Sequence, residues 1–335
     1  MKFIFTYNSL KFIQIFAVLI YCQFWAPDLK AAEPPKLGPA AQDRAREEAE
    51  LKKWIDRNSP IWAGKVGLAA ASKERPWINS LGMKYVPVPG TKVLFCIWET
   101  RVKDFEAFVN ATGYDATSGV FSARKEGWKQ YGDTWKNPGF GQGPTHPVCG
   151  VSWDDAHAFC EWLTEKEQKA GIIMSNEGYR LPTDFEWSVA VGLNEPNGGT
   201  PQEKHYKIKD IYPWGTQWPP PPEVGNYPGE EAKNTDWPSK WITIENYRDN
   251  YPKTAPVGSF DANEFGLYDL GGNVWEWSQS FYDGRGGNRV LRGGAWNSFN
   301  RFYLMSSYRC NESPDIRRSF DGFRCVLHKE DEDLR

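Results

Sequence analysis

The sequence predicts an α+β fold in which regular secondary structure is sparse and long loops carry much of the chain. Two observations predict it. Seventeen tryptophans stand beside 31 glycines and 24 prolines in 335 residues, so bulky flat side chains are joined by a backbone that turns often. The runs that carry a helical or strand-like period are also short. Hydrophobic residues make up 40% of the chain, enough for a sizeable core, which excludes disorder throughout. Forty lysines and arginines against 43 aspartates and glutamates leave a net charge of -3. Such a chain has no global field to hold a polyanion, which argues against a nucleic-acid partner.

At the N-terminus, Lys2 and Lys11 precede an apolar stretch from Phe12 to Ala26, and small residues follow at Ala31 and Ala32. This is the charged, apolar, small-residue order of a secretory signal, read over residues 1–32. About fifteen apolar residues fall short of the roughly 20 that span a bilayer, so cleavage and no stable transmembrane span are expected. An uncleaved anchor is the alternative, and bulky Tyr21 argues against a lipoprotein signal at Cys22. Export to the periplasm, the medium or the cell surface implies an oxidising compartment. Of six cysteines five remain after cleavage, an odd number, so at least one thiol stays free or pairs elsewhere.

Residues 33–78 read as a charged spacer. The run from Asp43 to Asp56 has helical propensity but few apolar residues, which suits a solvated helix; a docking helix using Leu51, Trp54 and Ile55 is the alternative. One domain is expected over 79–328, followed by an acidic tail, 329–335. Within it, Met83–Val88 and Val93–Trp98 read as strands, the first an edge because Pro87 cannot donate to a ladder. Lys103–Asn110 reads as a helix with Phe105, Phe108 and Val109 on one side. Ser152 and Asp155 form a capping-box pattern, after which Trp153, Ala156, Cys160 and Leu163 recur at helical spacing. Thr183 and Glu186 repeat that cap ahead of Trp187 and Val191. Beyond Gly192 loops dominate, including Pro219–Pro222; strands are expected again at Val274–Trp277, Arg289–Arg292 and Gly322–His328.

Common hydrolase and nucleotide motifs are missing: no Gly-x-Ser-x-Gly, no phosphate-binding lysine loop, no GxGxxG and no His-Glu-x-x-His. The four histidines, His146, His157, His205 and His328, are not spaced as a metal pair. Nine other segments occur in a recognisable order. They begin with Glu99-Thr100-Arg101-Val102, His146-Pro147-Val148 leading to Val151-Ser152-Trp153, and Arg180-Leu181-Pro182-Thr183 with Glu186-Trp187. Tyr212-Pro213-Trp214-Gly215, Thr254-Ala255-Pro256-Val257 and Gly266-Leu267-Tyr268-Asp269 follow. Gly272-Asn273-Val274-Trp275-Glu276-Trp277, Arg289-Val290-Leu291-Arg292-Gly293-Gly294 and Gly322-Phe323-Arg324-Cys325 complete the set. From about Asn79 to His328 the chain thereby resembles the formylglycine-generating enzyme, or sulfatase-modifying factor, family.

The resemblance implies a C-type-lectin-like fold. It also implies an activity, the oxygen-dependent oxidation of a sulfatase cysteine to formylglycine by copper(I) held on two thiolates. The two thiol positions of the family fall here on Ser298 and Tyr303, and Ala295 stands where serine is usual. Hydroxyls are hard donors that do not replace a soft thiolate pair toward copper(I), so copper is not expected as a cofactor. Cys310 with Met305 as a rebuilt soft site is the alternative. Calcium is expected as a structural cofactor on two sets carried over from the family: Asn226, Tyr227, Asp249 and Tyr251, and then Asp269, Gly272, Val274 and Glu276. Both sets are all-oxygen, as a hard cation prefers. The resemblance further implies a disulfide between Cys160 and Cys325, whereas the family partner of Cys310 is Val191 here, leaving Cys96, Cys149 or no partner.

The reading is therefore an exported family member without the copper chemistry, a pseudoenzyme or a protein acting on another substrate. Its groove, floored near Trp275, Trp296, Ser298 and Tyr303, would bind a peptide, glycan or small molecule. The alternatives are an active oxidase of the family and a structural partner module at the cell surface that uses exposed aromatics.

Overall fold

The computed structural model describes residues 71–196 and 198–329; the expected signal, most of the spacer and the tail from residue 330 lie outside them. Among the described residues, strands form three small sheets and four helices pack beside them. The first sheet is antiparallel and ordered β1 (Trp77–Ile78), β2 (Lys84–Pro87), β3 (Val93–Cys96), β12 (Val326–Lys329), β6 (Glu177–Arg180). The second pairs β10 (Arg317–Arg318) parallel to β4 (Val120–Arg124), which hairpins into β5 (Gly127–Gln130). The third runs β11 (Asp321–Gly322), β7 (Trp275–Phe281), β8 (Arg289–Arg292), β9 (Cys310–Glu312).

Local sequence signals hold well for the helices. In α2 (Trp153–Lys169) Ser152 Oγ accepts from the Asp155 amide at 3.1 Å and the Asp155 carboxylate accepts from the Ser152 amide at 2.8 Å. The reciprocal pair at Thr183 and Glu186 opens α3 (Asp184–Ala190) in the same way. Phe105 and Phe108 of α1 (Val102–Thr112) meet Phe159 of α2 and enter the main core. A fourth helix, α4, is a single turn, Pro201–Lys204.

Three strand readings change. β2 is not an edge along its whole length: Trp77 and Ile78 pair with Tyr85 and Lys84, and only Val86 and Pro87 extend past that partner. The folded unit thus takes in Trp77 and Ile78, just ahead of the boundary read at Asn79, and the Trp77 ring lies in the core. Gly322–His328 is two strands in two sheets, because the stretch between them must cross from β7 to β3. A Cβ on Gly322 would lie 2.5 Å from the Val148 carbonyl oxygen, so the crossing runs tight against the core. The β4–β5 hairpin is absent from the sequence reading because Trp128, Lys129 and Gln130 of its second strand are exposed and present no alternating buried face.

Between α4 and β7 the backbone has only a 3-10 turn, Glu230–Asn234, and one isolated bridge, Tyr212 with Gly215, as the proline and glycine content leads one to expect. Buried ion pairs order the segments around it. Asp184 accepts from Arg292 and Arg309, and Arg309 also reaches Glu195. Arg324 grips Glu276 with both guanidinium arms, at 2.6 and 2.9 Å.

Candidate functional site

β8 is followed by two glycines with left-handed backbone, Gly293 and Gly294, at φ +94° and +80°. A Cβ on Gly294 would lie 2.7 Å from Leu304, so only glycine lets the chain leave the sheet here. The loop that follows carries Ser298 and Tyr303, where the sequence resemblance places the family's thiol pair. Ser298 is buried, and its Oγ accepts from the Ala295 amide at 3.0 Å while its own amide donates to the Ala295 carbonyl at 2.9 Å. Its hydroxyl closes a turn. Tyr303 is 42% exposed and packs on Tyr308, whose ring in turn meets Trp275.

A cavity of about 280 Å³ brings Trp275, Ser298 and Tyr303 together with Tyr308, Cys310 and Arg318. Trp296 does not join them. It is buried beneath, its indole donating to the Ser319 carbonyl at 3.2 Å and its ring carrying the Lys253 ammonium 4.3 Å from the centroid. The turn after Ala295 directs Trp296 toward the Trp237 cluster, while Asn297, Ser298 and Phe299, which follow it, line the cavity. Sequence reasoning missed Tyr308, Arg318, Phe320 and Trp241 as lining residues. The three aromatics share a residue type that pervades the whole chain, and Arg318 lies in no recognised motif.

Cys310 is the thiol of this cavity, accepting from Arg318 Nη2 at 3.9 Å. Burial pushes its thiol up, and the Arg318 guanidinium opposes this. Arg318 itself is held by Asp321 and Glu312. Met305, the other soft atom considered, packs instead with Tyr212, Tyr227, Ile244, Tyr247 and Leu304. Cys310 and Met305 therefore do not form a donor pair at Ser298 and Tyr303.

The first oxygen set converges. Asn226 is fully buried; its Nδ2 donates to the Lys253 carbonyl at 2.8 Å, and its Oδ1 is buried without a partner. Both Asp249 oxygens accept backbone amides, from Tyr227 at 2.7 Å and Tyr251 at 2.8 Å. Burial, against these amides and together with the Glu231 carboxyl, pushes Asp249 up to about 8. An unpartnered amide oxygen and a carboxylate that burial disfavours are hard oxygen donors, a set whose chemistry fits calcium.

In the second set the carboxylate with a free oxygen is Asp269. One of its oxygens accepts from the Gly258 amide at 2.7 Å, the other is buried without a partner, and burial pushes the group up to about 6. Glu276 is already engaged by Arg324 and by the Trp187 indole at 3.0 Å. Gly272 lies against the first set: a Cβ there would sit 2.3 Å from the Asn226 carbonyl oxygen. Among the described residues no group of three or more histidine, cysteine or acidic side chains is arranged to hold a metal, so any cation here relies on amide and backbone oxygens as well.

The Cys160 and Cys325 sulfurs lie 3.6 Å apart in the core. Cys310 pairs with neither Cys96 nor Cys149; the Cys149 thiol faces Gln142. No described helix is long and apolar enough to cross a membrane.

Comparison with known proteins places this geometry. The formylglycine-generating enzyme of Thermomonospora curvata is 30% identical over 276 residues, which are 67% of this chain and 78% of that protein. The inactive C-alpha-formylglycine-generating enzyme 2 of Mus musculus is 33% identical over 187 residues, 54% of this chain and 48% of that protein. Among solved structures, PvdO from Pseudomonas aeruginosa aligns with a TM-score of 0.47 and 21% identity over 70% of this chain and 80% of that one. The model of the sulfatase-modifying factor enzyme 1-like domain matches residues 65–329, the span that holds all three sheets, the Ser298–Tyr303 cavity and both oxygen sets. The chain belongs to the sulfatase-modifying factor enzyme 1-like domain family.

Proposed function

We propose that this chain is an exported, calcium-stabilised binding module of its family that does not carry out copper-dependent cysteine oxidation. The observation that carries the reading is the donor set of the cavity: a serine hydroxyl tied into a turn, a tyrosine, and one thiol. Copper(I) requires a soft donor pair, and Met305, which would complete one, faces another cluster. A relative whose name declares it inactive supports the same direction.

The occupant proposed for the groove is an extended peptide. β9 ends its sheet and carries Cys310 at the cavity wall, so a peptide strand can add to that edge while one side chain enters the aromatic cavity. Calcium at Asn226, Tyr227, Asp249 and Tyr251 would order the long loops before β7. There it supplies the positive charge that the buried oxygens lack.

The test is direct. Purified protein supplied with copper, oxygen and a cysteine-containing sulfatase peptide should yield no aldehyde by hydrazide capture, and the peptide should quench tryptophan fluorescence on binding. Aldehyde formation overturns the reading in favour of an active oxidase. Unchanged peptide binding by Tyr308→Ala would move the binding surface away from this groove.

A further inference from the structure

We infer that Glu231 is a second carboxylate ligand of the first cation site, a role that rests on the calcium reading above and adds to the four positions taken from the family. Glu231 lies in the 3-10 turn Glu230–Asn234, and two backbone bonds hold that turn and the chain just ahead of it against the loop that leads to Asp249. The Glu230 amide donates to the Tyr247 carbonyl at 2.9 Å, and the Ile244 amide to the Pro228 carbonyl at 2.8 Å. The two adjacent glutamates then diverge. Glu230 turns out to Lys233 at 2.6 Å. Glu231 turns in, its Oε1 accepting from the Asp249 amide at 3.2 Å, and its Oε2 is buried without a partner.

Gly229 makes this inward path available. A Cβ at that position would lie 2.5 Å from Glu231 Oε1 and 2.7 Å from the Tyr247 carbonyl oxygen. Independently, fully buried Asn226 has its Oδ1 unpartnered beside Tyr227, whose amide holds Asp249. Two orphaned oxygens therefore flank one carboxylate. Among the described residues neither Glu231 nor Asp249 has a lysine or arginine within ion-pair distance. Desolvated like charges are unfavourable, and a hard divalent ion held by oxygens removes the conflict. Two carboxylates match its charge where Asp249 alone matches half.

The experiment titrates calcium ion into chelator-treated full-length protein by calorimetry. Glu231→Gln, Glu231→Asp and Glu230→Gln are compared, with Asp249→Asn identifying which ion belongs to this site. Glu231→Gln should weaken that ion by about tenfold or more and shrink the calcium-induced rise in melting temperature. Glu230→Gln should match wild type, and circular dichroism should show both variants folded. If Glu231→Gln fails to fold, Glu231→Asp, which keeps the charge on a shorter arm, should still bind calcium more weakly than wild type. Wild-type affinity in the Glu231 variants overturns the role of Glu231 while leaving the calcium reading intact. No calcium uptake by wild-type protein overturns both.

Discussion

Ser298 closes its own turn, so its worth to the protein is conformational before it is chemical. Replacing it with alanine removes the acceptor of a buried amide and should destabilise by about 1–2 kcal/mol in urea unfolding. Tyr303→Phe, at an exposed position, should change stability by less than about 0.5 kcal/mol. Equal midpoints for Ser298→Ala and wild type would show that the turn does not depend on the hydroxyl. The contrast with Trp296 marks what a sequence can say at this scale. The hydroxyl substitutions at the two thiol positions are legible by counting from the glycine pair. The burial of Trp296 is not, because Trp237, Phe140 and Lys253, which enclose it, come from distant segments.

At the level of elements, α3 is tied to β8 through charge. Asp184, its first residue, accepts from Arg292 and Arg309, both fully buried. Burial opposes ionisation of Asp184, but the two guanidiniums outweigh it and hold the group below the ordinary carboxylate range. A lowered folded pKa contributes stability that is fully present above the unfolded value and lost as pH falls through the folded one. Unfolding midpoints should therefore fall on the acid side. Asp184→Asn should flatten that limb and cost about 3–5 kcal/mol at neutral pH, because it leaves buried guanidiniums undercompensated. An acid limb identical in wild type and variant would assign the pH dependence elsewhere. The helix caps were legible because a capping box is contained within four residues. The split of Gly322–His328 was not, since its cause is the position of Val148 and of two sheets remote in sequence.

For the whole molecule, the proposed bond between Cys160 and Cys325 would join α2 to the chain just before β12, closing a loop of 165 residues. In the chain-entropy picture such closure stabilises by about 5 kcal/mol, less any native strain. Oxidised protein should therefore unfold at a higher urea concentration than reduced protein, and Cys325→Ala should abolish the difference. Matching midpoints with and without reductant would show that the two thiols stay apart in solution.

The sequence by itself determined the fold class, the family, the helix caps and the absence of a thiol pair at Ser298 and Tyr303, because these depend on residue identity and on spacing within short segments. Tertiary structure decided which side of the loop Trp296 faces, that Cys310 reaches the cavity while Met305 does not, and that Glu276 is spent on Arg324. It also decided that Glu231 turns toward Asp249. Each of these is a matter of direction and proximity between residues far apart in the chain. In a protein with so little periodic structure, no local pattern encodes them.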